Sequence, residues 1–212
     1  MRDKLTVLVA TCDQYQPLWK NFSKCYKKYF PYNIDTLFVG ETIPTPDYNT
    51  FIPGKMSWGK RVRESLALVK TPYILFLLDD YFLSFDYGLD RLCRYVRDMD
   101  SYHMNRLQIS RSSYQTYIGT NDSYLKFHPQ SEYQFSLQPS IWRKDWVEQN
   151  CPDEFSPWDF EVKNSERCIG FDTSTYIDPS INYPVYFNTV RKGFVKSEGW
   201  DQFKLKEGLE QF

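Results

Sequence analysis

Two adjacent carboxylates directly follow an uninterrupted apolar run, and carboxylates at such a position can bind a metal ion or a nucleotide. Ile74–Leu78 contains five apolar residues in succession, and Asp79 and Asp80 come next. An apolar run of this kind predicts a strand that is buried on both faces of a sheet. Ligands of open α/β sheets bind outside the carboxyl ends of such strands. The sequence therefore predicts an active site at Asp79 and Asp80.

Strands alternate with helices before and after this run, which predicts crossover connections and an α/β fold with a mostly parallel sheet. In the first half, the predicted strands are Leu5–Ala10, Ile34–Val39, Asn49–Ile52 and the Ile74–Leu78 run, and the predicted helices are Leu18–Tyr29, Ser57–Lys70 and Phe85–Met99. In the second half, we predict a strand over Met104–Ser110, extended runs at Tyr124–His128 and Tyr133–Leu137, helices over Arg143–Asn150 and Ser156–Cys168, short strands at Tyr176–Asp178 and Tyr183–Phe187, a basic loop over Asn188–Lys196 and a helix over Trp200–Phe212. We predict a single domain over residues 1–212.

Composition excludes several classes of protein. The net charge is -1 and the pI is near 6.2, so no general basic excess favours a nucleic-acid partner. The five cysteines are odd in number and show no C-x-x-C spacing, and the chain has only two histidines, which argues against a zinc site or a disulfide framework. With no signal-peptide pattern and no membrane-span pattern, we expect a cytoplasmic protein.

The order of four motifs resembles that of the small bacterial glycosyltransferases of GT-A fold, which build capsule or O-antigen polysaccharide. The matching parts are the strand end Val9–Asp13, the helix Trp58–Lys70 with Arg63, the acidic motif Asp79-Asp80-Tyr81 and the helix start Ser156–Glu161. The resemblance implies a Rossmann-related central sheet flanked by helices, with a nucleotide-sugar-binding half over residues 1–100. Residues 101–212 would form a partly antiparallel acceptor-binding half and the tail.

On the donor side, the resemblance implies a nucleotide-diphosphate sugar, with a UDP-sugar expected. Asp80 would hold Mn²⁺ or Mg²⁺, and the metal would stabilise the charge of the leaving diphosphate. The remaining donor contacts would come from Thr11, Asp13, Glu41, Trp58, Arg63 and Asp79. The family motif is Asp-x-Asp, whereas Tyr81 stands at its third position here, so a metal-independent site stays open. In that case Arg191 and Lys192 of the basic tail would clamp the diphosphate.

On the acceptor side, an inverting transfer requires a base that deprotonates the attacking hydroxyl. Asp159 and Glu161 are the candidates, and Asp159 matches the family's placement better, although it also stands where a capping-box residue would. Trp158 offers an apolar face for an acceptor sugar. We expect a glycan or a lipid-linked oligosaccharide as acceptor. Lysines in Lys24–Lys28 would support peripheral contact with the inner face of the membrane.

Two other functions are compatible with the sequence. A nucleotidyltransferase also needs carboxylates, a metal and a nucleotide-binding sheet, but the sequence near the N-terminus contains no glycine-rich phosphate loop. A non-catalytic sugar-binding protein with a degenerate transferase fold is the second alternative. The missing third acid at Tyr81 supports it.

Overall fold

A computed structural model of the protein describes residues 1–110, 115–119, 123–181, 185–191, 194–195 and 200–210. The strands are Leu5–Ala10 (β1), Thr36–Val39 (β2), Asn49–Phe51 (β3), Tyr73–Leu78 (β4), Tyr81–Leu83 (β5), Arg106–Gln108 (β6), Tyr117–Ile118 (β7), Leu125–Phe127 (β8), Ser140–Arg143 (β9), Thr175–Ile177 (β10), Tyr186–Asn188 (β11), Val190–Arg191 (β12) and Phe194–Val195 (β13). The helices are Trp19–Tyr29 (α1), Trp58–Leu66 (α2), Leu89–Ser101 (α3), Lys144–Asn150 (α4), Pro157–Arg167 (α5) and Trp200–Glu207 (α6), and a 3-10 helix over Asp13–Leu18 precedes α1.

One nine-stranded sheet runs through the molecule in the order β3-β2-β1-β4-β9-β6-β10-β8-β7. The four strands β3, β2, β1 and β4 are parallel, and β6 is parallel to β10. Strand β9 lies antiparallel between β4 and β6, and β8 is antiparallel to its neighbours β10 and β7. The predicted α/β fold with a mostly parallel sheet is confirmed.

Helices cover both faces of the sheet because the central strands are apolar on both sides. Along β1, Val7 and Val9 belong to a core shared with α1, α3 and α6. Their neighbour Leu8 belongs to the opposite core, which is shared with α2, α4 and α5. Alternate side chains of a strand point to opposite faces, so an unbroken apolar strand needs cover on both faces.

The structure differs from the sequence-based expectation at the strand next to β4. Ser140–Arg143, the strand β9, pairs with β4 through four residues and also pairs with β6, whereas the sequence predicted no strand here. Conversely, Tyr133–Leu137 forms turns and coil instead of an extended run. None of the helices in the described part of the chain combines the length and apolar character that crossing a bilayer requires.

The start of α2 is fixed by the segment that leads into α5. The backbone N–H of Gly59 donates to the Phe155 carbonyl at 2.8 Å, and that of Lys60 donates to the Asp153 carbonyl at 3.1 Å. These carbonyls satisfy N–H groups that a helix N-terminus leaves free. The hydroxyl of Ser57, the predicted cap, donates to the Asp153 carbonyl instead of capping the helix. Residues 152–155 thus join the two helices.

Gly59 is required for this close approach. A Cβ at this position would lie 2.1 Å from the Pro152 carbonyl oxygen, which is backbone and cannot move aside easily. We therefore expect Gly59→Ala to lower the free energy of unfolding by about 1–3 kcal/mol, as overpacking usually does. Urea denaturation would measure the loss. Gly119→Ala is the matched control, because no heavy atom of the described residues lies within 4 Å of a Cβ placed there. Equal stability of the two variants would contradict this account.

Candidate active site

The parallel register of β1 and β4 brings the ends of these strands side by side. Ala10, the last residue of β1, pairs with Leu78, the last residue of β4. Thr11 and Asp79 come next and therefore lie side by side. On the other side of β1, Ala10 also pairs with Val39, the last residue of β2. Three strand ends therefore meet at one edge of the sheet, where an open α/β sheet binds its ligands.

Asp79 is buried and held by two donors. The hydroxyl of Thr11 donates to its Oδ2 atom, and Nε1 of Trp19 donates to the same oxygen at 3.0 Å. Burial, followed by the charge of Asp80, raises the pKa of the Asp79 carboxyl well above its usual range. This carboxylate therefore ties β4 to β1 and to the helix α1.

Asp80 has a carboxylate oxygen without a partner in the described part of the chain. Its backbone carbonyl accepts hydrogen bonds from the N–H and the hydroxyl of Thr189, at 2.9 and 3.0 Å. Its Oδ1 atom is buried, and no hydrogen-bond partner reaches it from the described residues. Burial, followed by the charge of Glu161, raises the pKa of Asp80 to about 7. An unsatisfied buried polar atom is rare in folded proteins and calls for a ligand or another explanation.

A cleft of about 370 Å³ opens at these strand ends. Its lining residues are Ala10, Thr11, Cys12, Gln14, Tyr15, Trp58, Arg61, Leu78, Asp79, Asp80, Pro157 and Trp158. The structure thus brings five of the sequence-predicted site residues together: Thr11, Trp58, Asp79, Asp80 and Trp158. Trp58 is buried between Phe76 and Phe160, whereas the Trp158 side chain is 68% exposed at the rim.

The arginine that faces the cleft is Arg61, which the sequence analysis did not select. Its Nη1 donates to the Thr11 carbonyl at 2.9 Å, and its Nη2 lies 3.5 Å from Oε1 of Glu41. Arg63, the predicted residue, is half exposed and pairs with Asp153 at 2.5 Å, outside the cleft lining. The helical spacing contained the signal, because Arg61 is three residues after Trp58 and shares its buried face.

Asp13 and Glu41 stabilise the loops around the cleft. Asp13 accepts hydrogen bonds from the backbone N–H groups of Thr42 and Ile43, at 3.0 and 3.1 Å. Glu41 accepts one from the backbone N–H of Asp13 at 3.1 Å and, as described, faces Arg61. These contacts hold the segments after β1 and β2 together, and neither side chain is among those that line the cleft.

The two candidate bases occupy different environments. Asp159 forms a capping box with Ser156, in which each side chain bonds the backbone N–H of the other residue at 3.0 Å, and it pairs with Lys163 at 2.7 Å. These hydrogen bonds hold the pKa of Asp159 well below its usual value. Glu161, two residues further on, lies near enough to Asp80 for their charges to interact.

Glu161 is also anchored by the segment that precedes β9. Its Oε1 atom accepts a hydrogen bond from the backbone N–H of Leu137 at 2.6 Å. Burial raises the pKa of its carboxyl, while the bonds from Leu137 and Ser136 and the charge of Arg106 oppose that rise. A carboxyl group with a raised pKa, close to a residue that lines the cleft, is suited to proton transfer near neutral pH.

The basic tail and the metal remain predictions. Arg191 belongs to β12, which begins just after Thr189, and Lys192 lies outside the described residues. Across the described ranges, no cluster of three or more His, Cys, Asp or Glu side chains could hold a metal ion. Mg²⁺ often uses one or two carboxylates and completes its shell with phosphate oxygens and water. The free oxygen of Asp80 fits that limited requirement.

Comparisons with known proteins identify the fold. No family model matches the sequence, and no curated protein sequence is similar to it. The structure of S. aureus TarS 1-349 in complex with UDP matches with a TM-score of 0.57 and 15% identity, over 88% of this chain and 60% of that one. The chain spans 37% of a longer TarS structure.

Two further matches extend over nearly the whole of both chains. The CMP:2-keto-3-deoxy-manno-octonic acid synthetase complexed with CTP has a TM-score of 0.58 at 12% identity, and covers 97% of this chain and 98% of that one. A cytidylyltransferase from Leptospira borgpetersenii has a TM-score of 0.51 at 11% identity, with coverage of 100% and 98%. The chain therefore has a fold that occurs in nucleotide-binding proteins.

The pKa of Asp80 is raised and that of Asp159 is lowered, so we expect the two residues to have opposite effects on how stability depends on pH. Asp80 ionises near pH 7 in the folded protein but near 3.8 when unfolded, so its contribution to stability is lost as the pH rises from about 4 to 7. Asp80→Asn removes this loss. At about 1.36 kcal/mol per pKa unit, we expect the variant to gain up to about 4 kcal/mol over the wild type between pH 4 and pH 8.

Asp159→Asn is the control, and its effect on stability should be opposite in sign to that of Asp80→Asn. The lowered pKa of Asp159 stabilises the fold above its unfolded pKa, and that contribution disappears as the pH falls through the folded value. The variant should therefore be less stable than the wild type at pH 7, and the difference should shrink in acid. Urea unfolding from pH 4 to pH 8 measures both variants. A pH-independent difference for Asp80→Asn would contradict the described environment of this carboxyl.

Proposed function

We propose that the protein is a glycosyltransferase that moves a sugar from a nucleotide diphosphate, with a UDP-sugar as the expected donor, to a glycan or lipid-linked glycan. The observation that carries this proposal is that Asp80 lines the cleft at the strand ends together with Arg61 and also interacts with the charge of Glu161, a carboxylate that the Leu137 N–H holds in place. The phosphate groups of a donor would require a cation in the cleft, and the hydroxyl of an acceptor would require a base nearby.

The donor would bind in the cleft at the ends of β1 and β4. Arg61 supplies a buried guanidinium, and a planar guanidinium suits bidentate contact with phosphate oxygens. Thr11 and the backbone around it line the same cleft. If Mn²⁺ or Mg²⁺ is bound, Asp80 is the residue that would hold it, and the metal would act as a Lewis acid on the leaving diphosphate.

The transfer step requires one base and breaks one bond. The oxygen of the acceptor hydroxyl attacks the anomeric carbon of the donor sugar, and the bond from that carbon to the phosphate oxygen breaks. The electron pair of the broken bond leaves with the nucleoside diphosphate. We assign the base to Glu161, which takes the hydroxyl proton, and the configuration at the anomeric carbon would invert. The exposed face of Trp158 would contact the acceptor sugar.

The assignment of Glu161 in place of Asp159 rests on their partners. The Asp159 carboxylate is engaged by Ser156 and Lys163, and its lowered pKa makes it a weak base. Glu161 combines a raised pKa with a charge interaction with Asp80. The efficiency of general base catalysis rises as the pKa approaches the working pH.

A nucleotidyltransferase is the second candidate, because the fold also occurs in a synthetase and a cytidylyltransferase. The residues after β1 speak against it. Thr11–Gln14 contains no glycine, whereas a backbone loop that cradles triphosphates depends on glycine for close approach. The two functions release different products, a nucleoside diphosphate from a nucleotide sugar and pyrophosphate from a nucleoside triphosphate.

Arg61 and Arg63 provide a matched test of the donor site. Both lie on α2, but one is buried in the cleft and the other forms an exposed ion pair. We expect Arg61→Met to weaken UDP binding about tenfold or more, since hydrogen bonds to charged groups contribute roughly 1.5–3 kcal/mol. Arg63→Met should change it by less than about twofold. Isothermal titration calorimetry with UDP measures both. Equal effects would remove Arg61 from the donor site.

Glu161 and Asp159 provide the test of the reaction. With a nucleotide sugar and a glycan acceptor, we expect Glu161→Gln to lower kcat by roughly 10²–10⁴-fold, because the base is lost. UDP binding should be retained, and Asp159→Asn should keep kcat close to the wild-type value. Release of nucleoside diphosphate measures the rate. A slow Asp159→Asn beside a fully active Glu161→Gln would reverse the assignment, and pyrophosphate release from a nucleoside triphosphate would favour the second candidate.

A further inference from the structure

A fully buried arginine lies behind Glu161. Arg106, on β6, has no exposed surface, and its guanidinium lies over the Trp142 ring at 4.9 Å from the ring centre. Its Nη2 donates to Oε1 of Gln108 at 2.6 Å. Its Nε atom has no partner among the residues that the structure describes. Desolvation of the charged form lowers its pKa to about 9.

Arg106 binds the segment that holds the carboxylate of Glu161. Its Nη1 donates to the Gln134 carbonyl at 2.9 Å, and its Nη2 also donates to the Ser136 carbonyl at 2.7 Å. The next backbone N–H, that of Leu137, donates to Glu161, and the Ser136 side chain bonds the same carboxylate. Residues 134–137 are therefore fixed by a cation on one side and by the carboxylate on the other.

Packing alone gives no reason for a charge at this place. Removing a guanidinium from water costs several kcal/mol, and well-packed apolar residues of similar volume are often equal or better for stability. The segment 134–137 is turn and coil, so it has no sheet or helix hydrogen bonds of its own to fix it. An arginine can reach two of its carbonyls at once because the guanidinium carries five donors in a fixed plane.

We propose that Arg106 is a positioning residue for the reaction, and that it holds the Gln134–Leu137 segment so that Glu161 points at the acceptor hydroxyl. The inference rests on the proposed function, in which Glu161 is the base. Arg106 itself touches no substrate, because Trp142, Gln108 and the segment surround it. Its effect is transmitted through the backbone of Ser136 and Leu137.

Other charged or titratable groups also face Glu161. Asp80 follows β4, and Tyr81 and Tyr186 belong to the paired strands β5 and β11; each interacts with the charge of Glu161. None of these three groups carries a positive charge. Among the groups whose charges interact with Glu161, Arg106 is the one that carries a positive charge in the described structure.

The test separates positioning from general loss of structure. We expect Arg106→Met to lower kcat by roughly 100-fold, the loss that a small misplacement of a reacting group can cause, with the Kd for UDP unchanged. Arg106→Lys keeps a cation and should recover part of the rate. In the Glu161→Gln background, Arg106→Met should cause no further loss of kcat, because the two residues act as a unit. Gln108→Met, which removes a partner of Arg106 but no bond to residues 134–137, is the matched control and should keep kcat within a few-fold.

The possible outcomes discriminate between this inference and the proposed function. If Glu161→Gln is slow and Arg106→Met lowers kcat by the same factor in both backgrounds, the positioning role is wrong and the base assignment stands. If Glu161→Gln is fully active, the base assignment is wrong and the inference falls with it. Should Arg106→Met not fold, Arg106→Lys tests the same path, because a lysine lacks the planar guanidinium that reaches both carbonyls at once. A wild-type kcat in this variant would overturn the inference.

Discussion

The side-by-side ends of β1 and β4 are the constraint on which the candidate site depends. Burying a carboxyl group without hydrogen-bond partners is costly, so donors from the neighbouring strand stabilise the acid that follows β4. The register places Thr11 beside Asp79, and Trp19 adds a second donor. A shift of one residue would turn these side chains to the opposite face. With Asp79 satisfied inside the protein, Asp80 is the acid that retains an oxygen for a ligand.

The helices on either side of the cleft are positioned together. Residues 152–155 satisfy the free N–H groups at the start of α2 and lead directly into the capping box of α5. The first turn of α2 carries Trp58 and Arg61, and the first turns of α5 carry Trp158 and Glu161. Donor-side and acceptor-side residues are therefore linked through one short segment, and movement of α5 would change both sides of the cleft.

Apolar runs and helical spacing made the parallel half of the sheet and the location of the site predictable. The β1 bounds agree with the expectation to the residue, and Asp79 and Asp80 lie at the strand end as expected. The strand β9 was not recognised, because its four residues alternate weakly and its pairing with β4 is a long-range contact. Arg106 was missed for a related reason. In the strand Met104–Ser110, the polar residues at alternate positions resemble a solvent-exposed face, yet Arg106 and Gln108 are buried under residues 134–138. Only the tertiary structure shows whether such polar residues face solvent or form a buried network.

The fold itself does not decide which reaction the site performs, because it occurs both in TarS, in complex with UDP, and in a synthetase complexed with CTP. The groups that discriminate between glycosyl transfer and nucleotidyl transfer are those that only one of the two reactions requires. Attack on a nucleoside triphosphate needs a backbone loop around the phosphates, and the segment after β1 has no glycine to form one. Attack by a sugar hydroxyl needs a base beyond the donor. The carboxylate of Glu161, whose charge interacts with that of Asp80, is the proposed base, and a buried arginine binds the segment that holds it. Burying the guanidinium of Arg106 costs several kcal/mol. The proposed positioning of Glu161 would account for this cost, whereas packing alone does not.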